Sequence, residues 1–174
     1  MTLQSLVDLA TASNAGGVAG RVGYDYQAHV AAGLVLTMIS DPALLQVECE
    51  TADDVTLRWQ RNDRPEIEYV QVKTTDGNSK WGVTELTKRT QSKVGTSLIE
   101  KSLSCDAFAD GYAMFRFVSS RDVRGDLQNF KIPRDTRLPV DPGIEKLKKS
   151  FGKKYRSFKS PQGNSTEYWA ENMY

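Results

Sequence analysis

Three runs of strand-forming residues follow one another with almost no chain between them. Leu45 to Glu50, Val55 to Gln60 and Glu66 to Thr74 are rich in Val, Ile, Leu, Tyr and Trp. The links are Thr51-Ala52-Asp53-Asp54 and Arg61-Asn62-Asp63-Arg64-Pro65, both polar and turn-prone. A parallel pair needs a crossover of a dozen or more residues, so links this short point to an antiparallel meander. The rest of the chain has to cover that sheet.

The flanking segments divide by periodicity. Tyr24 to Ser40 reads as a helix: Tyr26, Val30, Leu34 and Met38 recur at four-residue steps, and Asp41-Pro42 ends it. It is apolar nearly all round, which predicts burial on most sides. Ahead of it stand a short amphipathic stretch, Leu3 to Ala12, and the run Ala15-Gly16-Gly17-Val18-Ala19-Gly20. That run reads as a flexible loop and lacks the spacing of a phosphate-binding loop. After the third strand, Glu85 to Cys105 contains a helix with Leu98, Ile99 and Leu103 as its buried side. Ala113 to Ser119 is a fourth strand, and Ser120 to Pro142 a loop. Gly143 to Phe158 is a basic amphipathic helix, with Ile144, Leu147 and Phe151 as its apolar stripe. Ser160 to Ser165 reads as a linker. Glu167 to Tyr174 reads as the start of a following, truncated element, because Tyr168, Trp169 and Tyr174 find little room for local burial.

Composition narrows the classes. The longest nearly uncharged stretch, Val30 to Ser40, is about half the ~20 residues of a membrane span. The N-terminus lacks a basic start and a long apolar run, which predicts a cytoplasmic protein. Cys49 and Cys105 are too few for a disulfide framework and sit in no zinc-binding spacing. Charge is uneven. Residues 1–79 carry 5 Lys/Arg against 11 Asp/Glu, a net of −6, and residues 80–174 carry 18 against 11, a net of +7. An acidic front and a basic back suit a protein that gathers cations in one place and a polyanion in another.

The third strand carries the chemistry. By alternation Val70 and Val72 face the core, and Tyr69, Gln71 and Lys73 face the other way. Asp54 stands where the first hairpin turns into the second strand, which a meander places beside the end of the third. Glu50 lies on the same hairpin. A carboxylate, then an amide one residue from a lysine, suits phosphodiester hydrolysis. A divalent ion held by oxygens neutralises charge on the phosphate and lowers the pKa of a bound water. A lysine holds the attacking water and adds positive charge in the transition state. The carbonyl of Val72 is placed to be a further oxygen ligand.

The pattern Asp54 … Gln71-Val72-Lys73 resembles the active site of restriction-endonuclease-like nucleases, written P-D … (D/E)-x-K. With Gln in the second position, it is similar to the D … Q-x-K variant of Mrr-like enzymes. Gly23-Tyr24-Asp25-Tyr26-Gln27 and Glu50-Thr51-Ala52-Asp53-Asp54-Val55, in order with Val70-Gln71-Val72-Lys73, resemble the nuclease domain of bacterial anti-phage effectors. These are double-stranded DNA endonucleases of cyclic-oligonucleotide signalling systems and related Lamassu-type and NTPase-linked defence proteins. The resemblance implies an α/β fold, a restriction-endonuclease-like core with a central mixed four- to five-stranded sheet flanked by helices. It implies Mg²⁺ or Mn²⁺ as cofactor and double-stranded DNA as substrate. It also implies homo-oligomerisation for double-strand cleavage and a sensor domain or partner subunit beyond the C-terminus. Residues 1–160 are then a nuclease domain, with a core of about 18–120 and a basic helical extension at 121–159, and 161–174 open a following element. Asp54 and Gln71 bind metal with the Val72 carbonyl, Glu50 supports them, Lys73 assists the water, and Gln27 comes from the first helix.

Other candidates read as structural. His29 is the single histidine and lies on a different side of the helix from Gln27. Cys49 alternates with Glu48 and Glu50 and is expected to face the core. Glu68 points away from Gln71. Lys88, Arg89, Lys93, Arg121, Arg124, Lys131, Arg134, Arg137 and the cations from Lys146 to Arg156 are candidates to hold DNA phosphates. The late helix also fits a partner-binding or membrane-surface role. A second reading follows from Gln71 standing in place of an acid: a catalytically inactive restriction-like fold that serves as a DNA-binding or protein-interaction module.

Overall fold

The short links do produce a meander. In the computed structural model, which describes residues 12–50, 52–61, 64–74, 79–109, 111–138 and 140–174, β1 (Leu44–Cys49), β2 (Val55–Arg61) and β3 (Arg64–Lys73) pair antiparallel in sequence order. Val55 lies opposite both Cys49 and Val70. β4 (Tyr112–Ser119) joins β3 in parallel, with Gln71 beside Phe117 and Lys73 beside Ser119. The sheet order is β1-β2-β3-β4. Beyond β4 the chain returns at its end: Met173 bridges Phe115 in parallel, the Tyr174 N–H donates to the Phe115 carbonyl (3.0 Å), and the Phe117 N–H donates to the Tyr174 carbonyl (3.1 Å). A mixed sheet of four strands with a two-residue fifth edge matches the restriction-endonuclease-like core.

Both faces of the sheet are covered, as a parallel pair requires. On one face α1 (Ala12–Ser40) packs Ala31 and Leu34 against Val55, Leu57, Val70 and Val72. On the other, Ile67, Tyr69 and Phe115 meet α3 (Leu98–Ser104), α4 (Pro142–Lys154) and α5 (Thr166–Asn172). A five-residue helix, α2 (Val83–Thr87), precedes α3. The single core expected behind Val70 and Val72 is therefore corrected to two: Tyr69 is fully buried and Gln71 is buried as well. Among the described residues no helix is long and apolar enough to cross a membrane.

Four further readings change. The Gly-rich run is the N-terminal part of α1, not a loop. A helix nucleated over 24–40 extends at a smaller cost than it starts, and glycine's penalty of about 1 kcal/mol does not stop it. α1 is not buried all round: it rests on the sheet by one side and leaves Leu36 and Ile39 exposed. The helix expected within Glu85–Cys105 is broken between α2 and α3, where Gln91 (φ 50°) and Ser92 (φ 58°) take left-handed backbone. Cys49 is exposed, at the end of edge strand β1. The stretch Leu3 to Ala12 lies outside the described residues up to Ala12.

The largest correction concerns the last residues. Trp169 is 2 % exposed and packs its ring 6.3 Å from Phe115, 5.9 Å from Phe130 and 6.0 Å from Phe151. Its indole N–H donates to Ser102 Oγ (3.0 Å). Of the aromatics for which no local burial was expected, Trp169 thus fills the centre of the larger core with Tyr168 packed against it, covered by the α4 stripe Ile144, Leu147 and Phe151. Tyr174 reaches further. Its hydroxyl donates to Glu68 Oε1 (2.5 Å), and Glu68 also accepts from the Trp59 indole N–H (2.8 Å) and faces Arg116 Nε (2.5 Å). A glutamate 1 % exposed is tolerable only when paired and hydrogen-bonded, and here it is both.

Candidate active site

The β1–β2 turn sets the first carboxylate. Glu50 turns the chain in a left-handed conformation (φ 54°), and its N–H donates to the Asp54 carbonyl (3.0 Å). Asp53 Oδ1 accepts from the Asp54 N–H (2.9 Å), a local bond that suits Asp in turns. The same Asp54 carbonyl accepts from Gln27 Nε2 of α1 (3.1 Å). The Asp54 backbone is thereby held from three directions, and its carboxylate projects toward the end of β3.

There it meets the strand end. Asp54 Oδ2 accepts from the Val72 N–H (2.7 Å) and from Lys73 Nζ (3.2 Å). Lys73 Nζ also donates to the Val72 carbonyl (3.1 Å). The pair is not sealed away, since the side chains are 33 % and 26 % exposed. They open on a cleft of about 290 Å³ lined by Gly20, Gly23, Tyr24, Gln27, Asp54, Val72, Lys73 and Thr74. Two oxygens, one a carboxylate and one a backbone carbonyl, converge there on a single positive charge.

Of the residues singled out from sequence, Asp54, Lys73, Val72 and Gln27 come together in this cleft. Gln71 does not line it: the amide is buried, 7 % exposed, and by strand alternation lies on the Tyr69 face. Glu50 contributes its backbone to the turn, while its side chain is exposed and off the cleft. His29 donates from Nδ1 to the Asp25 carbonyl of its own helix (2.6 Å) and takes no part. Sequence reasoning missed Gly20, which falls with Gly23, Tyr24 and Gln27 on one face of α1. That face was hidden once the glycine run was read as a loop. Asp53, the first acid of the Asp53-Asp54 pair, carried no role of its own in the sequence. Burial pushes its carboxyl up to about 6, opposed by the Asp54 N–H bond and by Lys73, and its Oδ2 is buried with no partner among the described residues. The neighbouring Cys105 thiol is pushed up to about 12, chiefly by burial, so it is no nucleophile.

A divalent metal can be weighed against this donor set. Among the described residues no three His, Cys, Asp or Glu side chains cluster, so a cage of several carboxylates or a zinc-type site is excluded there. Mg²⁺ asks for less: one or two carboxylates, with waters and substrate phosphates completing its shell. Asp54 Oδ1 accepts no hydrogen bond among the described residues, and the Val72 carbonyl faces the same point as Oδ2. The oxygens in the cleft fit that modest requirement.

Comparison with known proteins completes the description. The chain matches the family model for the Cap4 dsDNA endonuclease domain over residues 15–173. It is 26% identical over 164 residues to anti-bacteriophage protein A of Escherichia coli (strain K12), covering 91% of this chain and 29% of that protein. It therefore spans under a third of that relative's length. No solved structure matches. The match runs from within α1 to the residue that pairs with β4 and takes in every residue of the cleft, so the chain belongs to the Cap4 dsDNA endonuclease domain family.

Proposed function

We propose that the chain is a metal-dependent endonuclease that hydrolyses phosphodiester bonds of double-stranded DNA, acting in the cytoplasm as the effector domain of a bacterial anti-phage defence protein. The observation that carries this reading is the convergence of Lys73 Nζ and Asp54 Oδ2 at 3.2 Å in an open cleft. Family membership and the similarity to an anti-bacteriophage protein support the substrate and the setting.

The residues divide the work. Gln27 and the Val72 N–H orient Asp54. Lys73, held between Asp54 and the Val72 carbonyl, gives one of its N–H donors to the attacking water and adds positive charge as the phosphorane-like transition state builds negative charge. Asp54 and the Val72 carbonyl would hold Mg²⁺ or Mn²⁺, which would supply charge at the scissile phosphate and a water of lowered pKa, while Glu50 contributes only its backbone to the turn that sets Asp54. Each chain has one such cleft described, so cutting both strands calls for a homo-oligomer. A sensor domain or partner subunit beyond residue 174 would control it.

Plasmid DNA incubated with the protein and Mg²⁺ or Mn²⁺ tests the reading. Nicked and linear products are expected, lost in EDTA and lost in Lys73→Ala and Asp54→Ala. Cleavage untouched by either variant sinks it, as does intact plasmid at protein concentrations high enough to force association. The second reading, an inactive restriction-like fold that binds DNA or protein, is favoured by Gln71 lying off the cleft. It predicts DNA binding without hydrolysis and no heat of Mg²⁺ binding that Asp54→Asn removes.

A further inference from the structure

The cations of the basic half are not equivalent. Arg89 is bound to the fully buried Glu100, Arg124 to Glu85, Lys131 to Asp122, and Arg137 to the backbone carbonyls of Ile132 and Met173. Those charges are used in holding the fold together. Lys88, Lys93, Lys146, Lys149, Lys153 and Arg156 behave differently. All six are exposed, and none makes a side-chain hydrogen bond or ion pair among the described residues.

They are also gathered. Lys146, Lys149 and Lys153 recur at three- and four-residue steps, so they share one face of α4, and Arg156 follows in the turn beyond it. That face is opposite the stripe Ile144, Leu147 and Phe151, which is buried. The end of α4 is tied to the segment carrying Lys88: Lys154 Nζ donates to Thr87 Oγ1 (2.7 Å), the Tyr155 hydroxyl donates to the Thr87 carbonyl (2.8 Å), and the Arg89 guanidinium lies 5.0 Å from the Tyr155 ring. Two segments remote in sequence thus lie side by side at the end of α4. The loop carrying Lys93 is held in place by the left-handed Gln91 and Ser92 and by Thr96 Oγ1, which accepts from the Thr90 N–H (2.9 Å).

We propose that the outer face of α4, continued by Lys88 and Lys93, is a sequence-independent docking surface for the phosphate backbone of duplex DNA, separate from the Asp54–Lys73 cleft. It rests on the reading of the chain as a DNA nuclease and adds where the duplex is held. The helix rises about 1.5 Å per residue, so Lys146 to Lys153 spans about 10 Å, the length of roughly three phosphates on one strand. Lysines without acid partners among the described residues suit a polyanion as point charges, which hold phosphates without the planar fork of an arginine. A membrane is a poorer occupant. A surface helix binds lipid through its apolar face, and that face of α4 is spent in the core.

The test is binding in EDTA, where cleavage plays no part. A fluorescein-labelled 30-base-pair duplex of random sequence is titrated at several salt concentrations with wild type, with the triple variant Lys146→Ala/Lys149→Ala/Lys153→Ala, and with the matching Lys→Arg triple. Each phosphate contact contributes about 0.9 to the slope of log K against log salt, so the Ala triple is expected to flatten it by about 2–3. Affinity at 0.1 M salt should fall by on the order of 10²-fold, and the Arg triple should restore both. A thermal melt checks that all three proteins fold alike. An unchanged slope in a folded Ala triple overturns the docking surface and leaves the cleavage reading intact. A flattened slope in a protein whose wild type never cuts DNA keeps the surface and removes the nuclease reading.

Discussion

Replacing Asp53 by Asn separates two jobs done by one carboxylate. Oδ1 accepts from the Asp54 N–H at 2.9 Å, which Asn repeats, and Oδ2 is buried with no hydrogen-bond partner among the described residues. Burial raises the Asp53 carboxyl from an ordinary 3.8 to about 6. A raised carboxyl means that the folded state binds the proton more tightly than the unfolded chain. Stability is therefore fullest below about 3.8, falls as pH rises toward 6, and is flat above. At 1.36 kcal/mol per pH unit the full loss is about 3 kcal/mol. Asn has no charge to lose, so the stability of Asp53→Asn relative to wild type should rise by about 2 kcal/mol between pH 4 and pH 7, most of that full loss. Its absolute level carries a separate, pH-independent offset, because the new amide N–H₂ has to find a partner. Urea unfolding in EDTA at pH 4, 5, 6 and 7 measures the difference. A difference that is constant across the range, or that grows toward acid, refutes the assignment of a buried carboxylate raised by desolvation behind Asp54.

Two further outcomes follow from the same contacts. Trp169→Ala removes a ring packed against Phe115, Phe130 and Phe151 and should destabilise the protein by about 3–5 kcal/mol, read from the urea midpoint by circular dichroism; a loss under 1 kcal/mol would show that α5 is not seated in the core. Gln27→Ala removes the 3.1 Å bond to the Asp54 carbonyl, and plasmid cleavage should slow about tenfold while the melting temperature falls by only a few degrees, the loss of one hydrogen bond of about 1 kcal/mol; full activity would free Gln27 from any positioning role.

What could be read in advance depended on whether the signal was local. The meander was legible because its links are too short for any other pairing. The approach of Asp54 and Lys73 followed from it, since Val55 opposite Val70 places the turn beside the end of β3. The stripe of α4 was legible because its spacing is helical. Other features depended on distant partners. Nothing within the run Ala15 to Gly20 says that it continues a helix and lines the cleft with Gly20 and Gly23. Strand alternation showed that Gln71 and Tyr69 share a face, but not that α3, α4 and α5 would cover it. The fate of each arginine was also invisible, because Glu100 is 11 residues from Arg89 in sequence and Glu68 is 48 from Arg116. Only once those pairs are drawn does the basic face of α4, without ion pairs among the described residues, stand out.

The return of residues 173 and 174 to the edge of β4 has a consequence for how the protein is made. Tyr174 bonds to Glu68 across 106 residues, and Met173 pairs with Phe115. Contacts of such long separation form late, after the entropy of closing large loops has been met. While the polypeptide is still emerging from the ribosome, the sheet can pair, yet the slot for Trp169 stays empty and Glu68 lacks one of its hydrogen-bond donors. Nascent chains halted before residue 166 should therefore be protease-sensitive and chaperone-bound, and become compact only once α5 is released.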